Sequence, residues 1–323
     1  MKMSTKKKLM EQVRIILTER GQQALEIARH AILQEKIKYE PIHEALRYFI
    51  EEIWHDVLHP ALLSLACEAV GGNPEAINHI GAALVLLAGG ADVHDDIIDQ
   101  SVTKDSTLTV FGKLGKDIAL LAGDALLFKG LLMLHEACES LPKNQKKTIL
   151  ELTKQAFFEI GSAEAEEASL RGDFDLSAEK FFDIIKTKVA IAEAHMRIGA
   201  ILGGGTQEEI ERLSHYGRTF GILMTIRDDF IDIFELDELK NRAERECLPL
   251  PILFTFKDSE RKKKIIKLLK GSEITEKEIE KILDLVMKSE GARELKKEMR
   301  SLIKAEVKQL VFVKKQKDTL EFL

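Results

Sequence analysis

The chain has 323 residues, a net charge of −6 and six prolines, in a composition rich in Leu, Ile, Ala, Glu and Lys. This composition predicts an all-α protein, and the lack of a basic face argues against a nucleic-acid partner. The three cysteines are far apart and lack metal-ligand spacing, which predicts reduced cysteines in a cytoplasmic protein. The most apolar run, residues 80–91, contains three glycines and precedes an acidic cluster. It therefore predicts a buried core helix and not a transmembrane segment.

Hydrophobic periodicity predicts helices along the whole chain. Up to the second acidic motif, they cover about residues 8–38, 41–54, 60–70, 75–99, 117–140, 143–171, 177–203 and 207–236. Residues 100–116 are predicted to form a loop with a short helix, and three or four amphipathic helices follow Pro251. No linker or low-complexity segment separates these elements. We therefore expect residues 1–323 to form a single all-helical domain.

Two stretches share the pattern D-D-x-x-D. The first consists of Asp95, Asp96 and Asp99, at the end of an apolar helix, and the second of Asp228, Asp229 and Asp232. On a helix, residues at i, i+1 and i+4 lie close together, and two such faces can oppose each other. Carboxylates so close repel, and no Lys or Arg follows at i+3 or i+4 to relieve them. Because apolar residues flank both motifs, we favour a Mg²⁺ site made by the six aspartates over a solvated acidic surface.

Further motifs accompany the aspartates: Ala122-Gly-Asp-Ala-Leu-Leu127, Ile184-Ile-Lys-Thr-Lys-Val-Ala190 with Gly199-Ala-Ile-Leu-Gly203, and Phe220-Gly-Ile before the second motif. Their order and spacing, from about Ile53 to Asp232, resemble the trans-isoprenyl diphosphate synthases, also called polyprenyl synthetases. The resemblance implies a single large helical bundle around a central apolar cavity, and a homodimer. It also implies Mg²⁺ on the diphosphate of an allylic substrate, whose departure leaves a carbocation that isopentenyl diphosphate attacks. Such chemistry needs fixed cations for the leaving group and a dry pocket for the carbocation.

The resemblance assigns basic residues to the allylic diphosphate. Lys104, Lys188 and Arg242 stand at or near positions where the family binds it, and Lys188 is also assigned to catalysis. Arg227 either pairs with the second motif or contacts the departing diphosphate. Gly90 and Ala91, one turn before Asp95, imply room for a farnesyl or longer substrate. The same small residues are equally explained by close helix packing.

On the acceptor side the chain departs from the family. Asp56, His59 and Asp105 replace basic residues, and Ala88 replaces a His or Gln. Because acidic residues repel a diphosphate, the leading hypothesis is a terpene-synthase-like enzyme that does not use isopentenyl diphosphate. The alternative is a chain-elongating prenyltransferase with an acceptor site rebuilt from residues such as Lys113 or Lys116. A second alternative is a non-catalytic subunit of a heteromeric synthase, which the retained aspartates disfavour.

Overall fold

The computed structural model describes residues 5–104, 106–271, 274–313 and 315–323. The all-α prediction is confirmed, since helices account for nearly all regular structure in these ranges. The helices are α1 (Thr5–Leu33), α2 (Glu40–Tyr48), α3 (Leu58–Ala69), α4 (Asn78–Ile98), α5 (Val110–Leu114), α6 (Lys116–Ala137), α7 (Lys143–Ser169), α8 (Ala178–Lys188), α9 (Ala190–Leu202), α10 (Gln207–Asp232), α11 (Leu236–Arg245), α12 (Leu250–Thr255), α13 (Ser259–Leu269), α14 (Glu276–Met287), α15 (Glu290–Gln309) and α16 (Lys317–Phe322).

The chain divides into two compact units. The first contains Met1–Ala156, Ile191–Gly217 and Gln309–Leu323, and the second contains Phe157–Ala190 and Arg218–Lys308. The first D-D-x-x-D motif belongs to the first unit and the second motif to the second. That residues 1–323 form a single domain, with the two motif faces opposed, stays a prediction.

The first unit is built on the close packing of α4 against α6. A Cβ added to Gly90 would lie 2.7 Å from Cγ of Leu127 and 2.9 Å from the carbonyl oxygen of Gly123. One added to Gly130 would lie 3.0 Å from the carbonyl oxygen of Ala83. Since real side chains do not fit at such distances, glycine on both helices lets their backbones approach closely. The first motif is thereby fixed at the end of a rigid core helix.

The second unit has its own apolar core. Its largest cluster of buried side chains includes Phe181 and Ile184 from α8, Leu250 and Ile252 from α12, and Ile282 from α14. The cluster holds the C-terminal part of α10 and α8 in one packed body. The side chains of the second motif and of Lys188 therefore start from a well-packed scaffold.

The structure differs from the predicted elements at three places. The helix predicted over 177–203 is two helices, because Val189 leaves helical geometry with ψ near 12°, so Lys188 is the last residue of α8. The loop at 100–116 contains, besides α5, a small hairpin of β1 (Thr103–Lys104) and β2 (Thr107–Leu108). The helix predicted to reach Trp54 changes to π-helical geometry over Phe49–Ile53.

Two described helical stretches are long and apolar enough to cross a membrane by length and composition alone. Pro74–Ile98 is mostly buried, as expected of a core helix, and Lys116–Ala137 is about one third buried. One or two such helices are weak evidence for a membrane protein, because core helices pass the same test. The prediction of no transmembrane segment stays a prediction.

Candidate active site

The first motif is crowded with carboxylates. Asp95 and Asp96 lie in the last turn of α4, and Asp99 caps the helix, its N–H donating to the carbonyl oxygen of Asp95. Asp96 is only 6% exposed. Burial and then the charge of Asp92, followed by Asp95 and Asp99, raise its pKa to about 8 against the opposing effect of Lys104. A carboxyl group that burial and acidic neighbours keep from ionising suits a divalent cation, which would remove that penalty.

Lys104 lies beside this cluster. From strand β1 its Nζ donates to Oδ1 of Asp92 at 2.6 Å. Burial opposes the charge of the ammonium, but Asp92 and then Asp96 outweigh it and hold the pKa of Lys104 above its ordinary value. The structure thus brings together Lys104 and the first motif, as the sequence indicated. The neighbouring Asp105 lies outside the described residues.

The second motif already has cationic partners. Asp228 is half-exposed and accepts hydrogen bonds from the Nη2 and Nε atoms of Arg227, at 2.7 and 3.0 Å. Asp229 is buried and accepts from Nη2 of Arg242 at 2.7 Å and from the N–H of Leu250 at 2.8 Å. Of the two roles considered for Arg227, the structure shows the pairing with the motif.

Burial controls the ionisation of the second motif. It raises the pKa of Asp229 to about 6 and that of Asp232 to about 7, although Arg242 opposes the change in both. Arg242 itself is held well above its ordinary pKa, because four carboxylates outweigh its burial. The arrangement brings Arg242 to the aspartates, and its role in binding the allylic diphosphate stays a prediction.

Glutamates that the sequence analysis missed contact the predicted basic residues. Nζ of Lys188 donates to Oε2 of Glu167 at 2.6 Å and lies 3.0 Å from Oε2 of Glu164. Nη1 of Arg242 donates to Oε2 of Glu246 at 3.0 Å. Burial raises the pKa of Glu167, but Lys188 and Arg242 outweigh it, so the net pKa is lowered. Glu164 and Glu167 come from α7, and no local pattern in the sequence connects them with Lys188.

Within the part of the chain that the structure describes, no three His, Cys, Asp or Glu side chains are already arranged around a metal position. Mg²⁺ in proteins usually takes one or two carboxylates, with water and substrate phosphate oxygens completing the shell. The donor sets of both motifs, oxygen atoms with raised carboxyl pKa values, fit such an ion. The metal role of the six aspartates stays a prediction.

The carboxylate of Asp56 accepts hydrogen bonds from the first residues of α3, which begins two residues later. Its Oδ1 accepts from the N–H groups of Leu58 and His59, at 2.9 and 3.2 Å, and its Oδ2 lies 2.6 Å from Nδ1 of His59. His59 overcomes the effect of burial and lowers the pKa of Asp56 to about 2. The carboxylate therefore stabilises the first turn of α3. This is a physical reason against the argument that Asp56 repels an incoming diphosphate.

His59 stands next to a second histidine. The ring centroids of His59 and His195 are 5.4 Å apart, and His195 is 2% exposed. Nδ1 of His195 donates to the carbonyl oxygen of Ile191 at 2.8 Å. Burial, followed by the neighbouring His59, lowers the pKa of His195 to about 4, so its ring is neutral at pH 7. The sequence analysis missed this pair, since the two histidines come from α3 and α9 and are far apart along the chain.

Gly90 is buried against α6, and the half-buried Ala91 follows it on α4. The structure therefore favours helix packing as the reason for Gly90, while a role of Gly90 and Ala91 in admitting substrate stays a prediction. His94 packs against Gly123, and its Nε2 lies 3.3 Å from the carbonyl oxygen of Leu120. His94 therefore belongs to the packing of α4 against α6.

Comparison with known proteins identifies the class. Residues 42–286 match the family model described as Polyprenyl synthetase. The chain is 28% identical to the geranylgeranyl diphosphate synthase of Sulfolobus acidocaldarius over 75% of this chain and 69% of that enzyme. It is 31% identical to the short chain isoprenyl diphosphate synthase of Methanothermobacter thermautotrophicus over 56% and 55%. The crystal structure of the geranylgeranyl pyrophosphate synthetase of Pyrococcus horikoshii superposes with a TM-score of 0.83 and 23% identity, covering 96% of both chains.

All-α architecture with two D-D-x-x-D motifs defines an isoprenoid-synthase-like protein. The family match shows more: the chain belongs to the polyprenyl synthetase family, and the prediction of an enzyme of the isoprenyl diphosphate synthase family is confirmed. The leading hypothesis of a terpene-synthase-like reaction without isopentenyl diphosphate is not supported. The relatives bear the names of diphosphate synthases, which favours the chain-elongating alternative.

Proposed function

We propose that the protein is a chain-elongating trans-prenyl diphosphate synthase. It ionises an allylic prenyl diphosphate, farnesyl or longer, with the help of Mg²⁺, and joins the carbocation to isopentenyl diphosphate. The observation that carries the proposal is the environment of Asp96, Asp229 and Asp232, whose carboxyl pKa values are all raised by burial. Burying a carboxylate costs free energy, and a bound divalent cation would offset that cost.

Each predicted residue has a role in this proposal. Asp95, Asp96 and Asp99 hold Mg²⁺ at one motif, and Asp228, Asp229 and Asp232 hold it at the other. When bound, the ions supply positive charge that stabilises the departing diphosphate. Lys104, Lys188 and Arg242 donate hydrogen bonds to diphosphate oxygens, and Arg227 contributes from the edge of the second motif. Hydrogen-bond donors that are already in position stabilise the negative charge that develops on the diphosphate, because the protein does not have to rearrange during the reaction.

The contacts of Asp56 support use of isopentenyl diphosphate. Its carboxylate interacts with the first N–H groups of α3 and with His59. Repulsion between Asp56 and an incoming diphosphate was the main argument for a terpene-synthase-like reaction, and these contacts weaken it. Lys113 is held by the ring of Tyr48, 3.6 Å from its Nζ, and lies 3.9 Å from Glu44. We assign it no acceptor role, and Lys116, exposed at the start of α6, remains the candidate for a rebuilt site.

The test is an incubation with Mg²⁺ and geranyl, farnesyl or geranylgeranyl diphosphate, each with and without isopentenyl diphosphate. We expect longer prenyl diphosphates only when isopentenyl diphosphate is present. Release of diphosphate with a hydrocarbon or alcohol product, indifferent to isopentenyl diphosphate, would overturn the proposal. Inactivity with every substrate would overturn it in favour of a partner-dependent subunit. Asp96→Asn should abolish product, while the exposed Asp284→Asn should not.

We also propose that the protein forms a homodimer through α6. Large apolar side chains on this helix are exposed: Leu120, Leu121, Phe128, Leu131 and Leu132. So many exposed large apolar side chains on one helix favour an interaction surface, and a second copy presents the same helix to it. Sedimentation should show a dimer that Phe128→Asp dissociates, since Phe128 is 68% exposed. A wild-type monomer that binds lipid vesicles would refute the proposal. The cytoplasmic location stays a prediction.

A further inference from the structure

Two glutamates of α7 hold the ammonium group of Lys188. Glu164 and Glu167 are three positions apart, so they share one face of the helix. Nζ of Lys188 lies 3.0 Å from Oε2 of Glu164 and 2.6 Å from Oε2 of Glu167. Glu167 is only 6% exposed, and Sγ of Cys247 lies 3.6 Å from its carbonyl oxygen. The pair is therefore a fixed partner for Lys188 and not a loose surface contact.

The charges do not balance. One ammonium faces two carboxylates, so these three side chains carry a net charge of −1 when all are ionised. Arg242 and Arg171 also attract Glu167, but the two carboxylates next to the ammonium group oppose any anion that approaches Lys188. An anionic group that binds Lys188 competes with carboxylates that are already in place. Glu167 is buried, so its carboxylate returns to a free ammonium group with little loss of side-chain entropy.

We propose that Glu164 and Glu167 compete with diphosphate for Lys188, and thereby set how tightly this site holds diphosphate groups and how fast it releases them. The inference rests on the proposed function in one respect, that Lys188 binds diphosphate. Substrate and product both carry a diphosphate, so a competitor at Lys188 weakens the capture of the first and speeds the release of the second. Release of product limits turnover in many enzymes, so faster release of the diphosphate group would raise kcat.

The neighbouring Glu166 provides a matched control. It lies on the same helix and pairs with Lys180 of α8, but both side chains are about half exposed. Glu166→Gln therefore makes the same chemical change in the same helix and also removes an ion pair to α8, without touching Lys188. An effect shared by Glu166→Gln and Glu167→Gln would reflect general electrostatics and would overturn the proposal.

The experiment measures binding of inorganic diphosphate with Mg²⁺ by calorimetry, and elongation kinetics in parallel. For Glu167→Gln we expect the dissociation constant to fall at least about fivefold, because one opposing charge close to the ligand is removed. In elongation, KM for the allylic substrate should fall, and kcat should fall with it because product release slows. Glu166→Gln should stay within about twofold of wild type on all three measures. Unchanged or weaker diphosphate binding in Glu167→Gln would overturn the inference.

Folding and the proposed function are checked separately. Thermal unfolding shows whether Glu167→Gln is folded. If it is not, Glu164→Gln decides in its place, since Glu164 is the more exposed of the two. A wild-type protein that binds diphosphate without elongating any prenyl chain would refute the proposed function and leave the binding test of the variants intact. Lys188→Met binding diphosphate as tightly as wild type would overturn the inference.

Discussion

Asp56→Asn tests whether Asp56 stabilises α3 or faces a substrate. The substitution keeps the shape of the side chain and its Oδ1, which accepts from the N–H groups of Leu58 and His59. It removes the negative charge opposite His59 and replaces the acceptor Oδ2, 2.6 Å from Nδ1 of His59, by an NH2 group. The pKa of Asp56 is about 2, against an ordinary 3.8. At about 1.4 kcal/mol per pKa unit, the ionised carboxylate contributes about 2 kcal/mol to the free energy of unfolding at pH 7.

The sign of the pH dependence follows from the lowered pKa. A carboxyl group whose pKa is lower in the folded state stabilises the fold fully above pH 4 and loses that contribution as the pH falls through 2. The stability difference between wild type and Asp56→Asn should therefore be about 2 kcal/mol at pH 7 and fall to roughly half by pH 3. Urea unfolding at the two pH values, followed by circular dichroism, measures both differences.

Asp258 supplies the control for helix capping. Its Oδ1 accepts from the N–H groups of Glu260 and Arg261 at the start of α13, but no buried histidine faces it. Asp258→Asn should leave the stability close to that of wild type, because asparagine is as good a cap as aspartate. Our reasoning would be refuted if Asp56→Asn were as stable as wild type and also had a lower KM for isopentenyl diphosphate. That result would mean that Asp56 faces the substrate and repels it.

Three other substitutions separate stability from function. Asp96→Asn should raise the free energy of unfolding without Mg²⁺ by about 1 kcal/mol or more and abolish elongation, since it relieves a buried carboxyl with a raised pKa. His195 has a pKa of about 4 in the folded state, so its contribution to the free energy of unfolding should fall by about 2 to 3 kcal/mol from pH 7 to 4.5. Urea melts of wild type and His195→Phe measure this contribution as the difference between the two proteins, and a difference that does not change with pH would contradict the assignment. Lys188→Met should cost about 3 kcal/mol by removing the ammonium group that donates to buried Glu167, while Lys188→Met with Glu167→Gln should recover most of the loss.

Local sequence patterns predicted the fold class and the positions of the motifs. Long apolar periodicity placed α4 and α10 within a few residues, because burial of one helix face repeats every turn. The break between α8 and α9 was missed, since Val189 is an ordinary helical residue by local preference. The hairpin at Thr103–Lys104 and Thr107–Leu108 was also missed, because strands of two residues leave no periodicity to detect.

Contacts between helices that are far apart along the chain could not be predicted from the sequence. The resemblance drew attention to Lys188 and Arg242, but not to Glu167 or Glu246, which hold them. Residues from α7 and α8 meet only through tertiary packing, and a single sequence carries no record of it. Gly90 shows the same limit, because a glycine at this position is expected both where a helix lines a cavity and where two helices pack closely. Only the neighbouring Leu127 and Gly123 decide between them.

The two motifs differ in where their counter-charge comes from. The first motif receives Lys104, from a hairpin a few residues further along the chain, and Lys104 pairs with Asp92 and not with a motif aspartate. The second motif receives Arg242, which donates directly to Asp229. The carboxyl pKa is accordingly higher at Asp96, about 8, than at Asp229, about 6. Because Lys104 donates to Asp92 while Arg242 donates directly to Asp229, we expect the proposed Mg²⁺ ions to matter more for the folded geometry of the first motif than for that of the second.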